Sequence, residues 1–337
     1  MKHLIFLSTV TLLAAACTRE EPKPEQGELP DDTATEDTDT GGVIDCDASL
    51  SESTPSIDLP TSSWFYRDAV ELTFDEVNIA LSLSLVDGSG ADVPVGFEWN
   101  ESREIAMVIP ESGQWAGSED YTLTADFCGK TETLTFGTSE YGLPLEGDAS
   151  SLVGNTYKIE LNNAEYTHPP GIGTLLAANI DQPLLFGIEA ASNESLDFIA
   201  ALGLNVIGGV EQTSGLWYFP GADFSTSPYF DAFADSLAID YNGIAIPIFE
   251  FAISGTFSAD MTKIGQAHFE GLGDTREISA SLFTNDEEFL CGTLLPSSGN
   301  ECVVCPGAES DEPYCVFLAG DIEEVPLVPD MTLEAMD

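Results

Sequence analysis

From residue 70 to residue 136 the chain keeps returning to one short pattern, apolar side chains at every second position. The runs are 70–74, 80–85, 93–97, 105–109, 121–125 and 133–136, and in one of them Leu81, Leu83 and Leu85 alternate with Ser82 and Ser84. Period two is the mark of a strand with one buried face, whereas an amphipathic helix repeats its apolar residues every three or four positions. Asp87-Gly88-Ser89-Gly90 supplies a turn between two of the runs. Some seven short strands within about ninety residues fold as a β-sandwich, so an all-β protein is expected.

At 337 residues the chain is longer than one ordinary domain. The 43% of hydrophobic residues is enough for real cores. Its formal net charge is −50, from 59 acids against 9 lysines and arginines. That charge repels nucleic-acid phosphates and anionic headgroups, which excludes both as partners. Solubility alone accounts for the acidity; a salty medium or calcium recruitment are the alternatives.

Lys2 and His3 precede an apolar run over 4–16 that ends with Ala14-Ala15-Ala16 before Cys17. The run is short for a bilayer span and leads into polar, proline-containing sequence, so it reads as an export signal. The small residues before Cys17 resemble a bacterial lipobox, although Leu13 stands one place earlier than the large aliphatic residue of that pattern. The resemblance implies that 1–16 is removed and that Cys17 becomes the lipid anchor. Thr18, where Asp resembles an inner-membrane retention signal, points to a protein lipid-anchored at the bacterial outer membrane, on its periplasmic face or the cell surface. Residues 17–47 are dense in Glu, Asp, Thr and Pro and read as an acidic disordered tether.

Six cysteines follow the anchor: Cys46, Cys128, Cys291, Cys302, Cys305 and Cys315. An even set outside the cytoplasm implies three disulfides. Cys46 precedes the first strand and Cys128 ends a late one, so a bridge between them pins the sandwich, contributing about 4 kcal/mol by chain entropy. The last four allow three connectivities; Cys305–Cys315 with Cys291–Cys302 is preferred. Cys302-Val303-Val304-Cys305 has no second such pair to complete a zinc site and no βαβ unit for redox work.

Val70-Glu71-Leu72-Thr73-Phe74-Asp75, Leu85-Val86-Asp87-Gly88-Ser89-Gly90, Ile109-Pro110 and Tyr121-Thr122-Leu123 together resemble the SbsA type of bacterial Ig-like domain. Over 48–138 the resemblance implies a spacer or display module, not an enzyme.

A linker over 139–151 leads into a larger antiparallel β domain over 152–329, with a tail over 330–337. Strands are expected at 152–161, 184–189, 196–204, 237–241, 244–253, 256–258 and 266–270, with one helix over 174–180. Asn242-Gly243 supplies the two positive φ angles of a type I′ hairpin. The strands close into a barrel or pack as a sandwich with a disulfide-stapled C-terminal end. The opening Leu152-Val153-Gly154-Asn155-Thr156-Tyr157 resembles lipocalin-like barrels, an analogy of fold alone.

Candidate chemistry is sparse. Trp217, Tyr218, Phe224, Tyr229 and Phe230 crowd beside acids and form either a sugar-stacking platform or a loop that plugs a sheet edge. His168 and His268 lack a nucleophile elbow and read as structural. Asp37-Thr38-Asp39-Thr40-Gly41 lacks the third acid and distal Glu of a calcium loop, and Asp231, Asp235 and Asp240 have no specific spacing. No metal site or cofactor is assigned beyond possible recruitment of calcium. The expected function is non-enzymatic: a lipid-anchored envelope protein whose Ig-like spacer presents a β-rich domain for binding or display. An envelope protein or a small molecule would be the partner. The alternatives are a ligand-binding β barrel for a lipid or saccharide and, behind it, an envelope hydrolase using His168 or His268.

Overall fold

The computed structural model describes residues 46–336 except 58–60, 78, 172–181, 242–243, 283–285, 298 and 308–310. Cys17, the tether to residue 45, the helix expected at 174–180 and the Asn242-Gly243 turn lie outside the described residues.

The first body has seven strands: β1 Leu50–Thr54, β2 Val70–Phe74, β3 Leu81–Asp87, β4 Val95–Trp99, β5 Ile105–Pro110, β6 Asp120–Phe127 and β7 Lys130–Gly137. They form two antiparallel sheets, β1-β2-β5-β4 and β3-β6-β7. This is the strand arrangement of a constant-type immunoglobulin sandwich. Its core sets Val70, Leu72 and Phe74 of one sheet against Leu123, Ala125 and Phe127 of the other. The buried Trp115 meets Phe136 edge-on at 5.0 Å, and Tyr121 Oη accepts a hydrogen bond from Ala116 N at 2.9 Å, in the manner of a tyrosine corner. Asp87 closes the predicted turn by accepting from Ser89 Oγ at 2.6 Å and from Ala91 N and Ser89 N, each at 2.9 Å, and these bonds, the Ser89 hydroxyl first, hold its carboxyl below the usual carboxylate value. A disulfide joins Cys46 to Cys128.

The second body is one large antiparallel sheet. Its strands are β8 Thr156–Ile159, β9 Glu165–His168, β10 Leu184–Ala191, β11 Ser195–Val206, β12 Gly209–Gln212, β13 Trp217–Asp223, β14 Tyr229–Tyr241, β15 Ile244–Phe257, β16 Lys263–Asp274 and β17 Cys315–Pro326. The order is β8-β10-β11-β13-β14-β15-β16-β17-β9, with β12 beside β11. The sheet rolls until its ends meet, among the described residues only at a single bridge, Tyr157 with Leu327, reinforced by Val328 N donating to Thr156 O at 2.7 Å. It is not a closed barrel. The reason lies in β17, whose outer edge is already occupied by β9 over Ala319 to Asp321.

Aromatic side chains fill the roll. Phe186 stacks on Phe198 at 4.3 Å, and Phe230 lies 4.9 Å from Phe198 and 5.2 Å from Phe257. At one end, α1 (Arg276–Leu282), a wide helical turn (Leu290–Leu294) and α2 (Leu295–Ser297) form a cap that buries Ile278, Leu290 and Leu295. The cap is stapled by Cys291–Cys302 and Cys305–Cys315, the pairing preferred from sequence.

The two bodies form one compact unit. The expected linker is structured, with turns at Glu140–Gly142 and Ala149–Leu152. Its Tyr141 is buried against the second body, and Lys263 Nζ meets Glu140 at 2.8 Å and Glu324 at 3.2 Å. The expected tail is also docked. Leu333 is buried on the outer face of the sheet with Leu185, Ile199 and Ala201, and the Gln212 amide donates to Glu334 O (2.8 Å) and accepts from Glu334 N (3.0 Å).

Candidate functional site

The register of the rolled sheet lines up polar residues across six strands. Reading outward from β13, Asp223 faces Asp231, Asp231 faces Ser254, Ser254 faces His268, His268 faces Asp321 and Asp321 faces Glu165. Residues directly opposite one another in a ladder share a face, so this row occupies one side of the sheet. Within it His268 Nδ1 lies 2.7 Å from Asp321 Oδ1, and Nε2 lies 4.0 Å from Glu270.

The sandwich supplies the opposing wall through the segment from Phe65 to Asp68. Two indoles fix that segment: Trp115 Nε1 and Trp64 Nε1 donate to Asp68 O at 2.7 and 3.2 Å. The Tyr66 backbone carbonyl accepts from Trp115 N at 2.8 Å. Arg67 reaches across, its guanidinium 4.0 Å from the centre of the Tyr229 ring and Nη1 3.3 Å from Thr226 Oγ1.

Between the walls lies a cleft of about 800 Å³. Asp68 and Arg67 line it from the sandwich; Asn163, Glu165, Gln266 and Asp321 are among those lining it from the second body. Burial, with repulsion from Asp321 and Glu71, holds the Asp68 carboxyl above its ordinary value. Beside the cleft Asp231, on the solvent-facing side of β14, is raised by the partial desolvation its neighbours impose and by repulsion from Asp223 and Glu270. The walls therefore face each other with like charge, and Arg67 and His268 are the basic residues between them.

The structure separates the aromatic residues singled out from sequence. Phe224 and Phe230 are fully buried in the roll and Trp217 is half-buried against the same core, while Tyr218 is 56% exposed. Strand alternation places Trp217 and Tyr218 on opposite faces of β13, so no common platform forms. Tyr229 alone of the five lines the cleft. The stretch is two strands and a short turn, not a plugging loop. His168 sits on the edge strand β9 with its ring 5.4 Å from Phe317.

Beneath the cap an apolar cavity of about 70 Å³ is lined by Ile248, Phe251, Phe269, Ile278 and Leu290 among others. Ligand pockets run from about 300 Å³ upward, so this space does not accommodate an acyl chain. Among the described residues no group of three or more His, Cys, Asp or Glu is placed to hold a metal ion, and no helix is long and apolar enough to cross a membrane. Asp231 and Asp235 lie exposed on β14.

The cleft was not visible in the sequence except through Tyr229 and His268. Its walls come from segments as far apart as Phe65 and Glu323, without a spacing motif. No family model and no curated protein sequence matches the chain.

Proposed function

We propose that the protein is a lipid-anchored component of a bacterial outer membrane, in which an SbsA-type Ig-like sandwich carries a β-rich domain outward for binding rather than catalysis. One observation carries the reading: the six cysteines after Cys17 pair among themselves. That leaves Cys17, at the end of the apolar run, for the lipid. Three stapled loops suit an oxidising compartment, and the acidic tether holds the folded unit away from an anionic surface.

Metabolic labelling with a palmitate analogue in a bacterial host tests it. The wild-type chain takes label and sediments with membranes, and Cys17→Ala loses both properties. Label retained by Cys17→Ala would sink the anchor.

A second reading, that the protein binds a small ligand, is favoured by the cleft of about 800 Å³, which lies within the size range of ligand sites. Its polar walls favour a saccharide over a lipid.

A further inference from the structure

We infer that the cleft between the sandwich and the rolled sheet is a binding site for a neutral saccharide; the inference rests on the ligand-binding reading above and names its ligand class. The inventory of groups facing the cleft decides the class. Arg67 spends one donor on Thr226, and Gln266 Oε1 pairs with Ser139 Oγ at 3.3 Å while its amide nitrogen stays available. The Asn163 amide and the Asp68 and Glu165 carboxylates make no side-chain hydrogen bond among the described residues. Donors and acceptors thus face the same space. An ammonium group only donates and a carboxylate only accepts, whereas each hydroxyl of a sugar does both and so matches a mixed set of this kind.

Charge and shape narrow the class further. Asp68, Glu165, Asp321 and Glu323 outnumber Arg67 and His268, which excludes glycans bearing carboxylate or sulfate. An apolar ligand would strip water from these groups without replacing their hydrogen bonds. Two aromatic rings close the walls: Phe65, edge-on to Tyr66 at 5.1 Å, and Tyr229, whose ring carries the Arg67 guanidinium 4.0 Å from its centre, both packed on the sandwich core. Ser254 and Asp321 stand opposite His268 in the ladder, so ordering them on binding costs little, and Gln266 projects from a bulge beside Ser254 with φ of +49°.

The experiment uses the full-length lipidated protein in detergent micelles, titrated calorimetrically with hexamers of three charge classes. Neutral probes are cellohexaose and chitohexaose, the cationic probe is the glucosamine hexamer and the anionic probe is hexagalacturonate. A neutral hexamer is expected to bind and the anionic one to give no heat. Asn163→Ala and Gln266→Ala each weaken that binding about three- to ten-fold, the effect of one lost hydrogen bond. Asp235→Asn, exposed on β14 away from the cleft, leaves it unchanged, and all three variants melt as the wild type does. No binding of either neutral hexamer, binding confined to the cationic one, or binding indifferent to both cleft variants overturns the inference. Palmitate labelling on the same preparation separates the readings: a labelled protein that ignores every neutral hexamer loses the saccharide and keeps the anchor. A ligand of another class displaced by the cleft variants likewise keeps the ligand-binding reading and removes the saccharide.

Discussion

The Tyr141 ring lies so close over Gly265 that a β-carbon on the glycine would fall within it. Tyr141 belongs to the connector between the bodies and Gly265 to β16, so this contact ties one body to the other. Lys263 adds to the joint, its ammonium 5.4 Å from the Tyr141 ring centre and in reach of Glu140 and Glu324.

Gly265→Ala should therefore destabilise the folded unit by about 1–3 kcal/mol through overpacking. Tyr141→Ala should cost about 3 kcal/mol through the cavity it leaves. The double variant should lose much less than the sum, because the added methyl enters the vacated space. Urea unfolding of the four proteins measures this cycle, and strict additivity would mean that the two residues do not share the space.

Leu333 docks the segment after β17 on the outer face of the sheet. Leu333→Ala should cost about 2 kcal/mol, at the lower end for buried leucines because this small core has four buried residues and a rim of partly exposed ones, Val210, Leu216 and Met331. Gln212→Ala should release the backbone of Glu334, read as faster amide hydrogen exchange there with little change in melting temperature.

The facing acids make a pH prediction with a definite sign. Asp68 and Asp231 have folded pKa values above the ordinary 3.8. The folded state then prefers the protonated forms, so their contribution to stability is lost as pH rises from about 3.8 through the folded values. Asp68→Asn and Asp231→Asn should each raise the melting temperature at pH 7, with the gain vanishing below pH 3.8. A gain that persists at pH 3 would point to packing instead of charge.

Much of the fold was legible in the sequence and the site was not. The run 70–74 coincides with β2 because Val70, Leu72 and Phe74 alternate without interruption. β13 was masked by Pro220-Gly221, which reads as a turn but sits inside the strand beside a register shift, Gly221 taking φ of +69°. β1 was missed because Leu50-Ser51-Glu52-Ser53-Thr54 is a polar edge strand with no apolar alternation to betray it. In β17 the buried Cys315 and Val316 are adjacent, as are Ala319 and Gly320, which breaks the period. The cleft depends on the register between strands, and local composition carries no record of register.

Salt should act on the whole molecule. Raising sodium chloride from 0.1 to 1 M shortens the screening length from about 10 to about 3 Å and should raise the melting temperature of a chain with formal charge −50. Calcium at matched ionic strength should add nothing further; an extra rise would reveal a specific site.

β17 is the last strand in chain order, yet it stands between β16 and β9 and leads directly into the bridge to β8. It works as a keystone: every other strand of the roll can be made and delivered before the arch has its final stone. Until β17 arrives, β16 offers a bare edge of unpaired amides to any neighbouring chain. Folding of this chain is thus a race between arrival of that strand and capture by another molecule, and a nonsense codon before residue 315 would lose it.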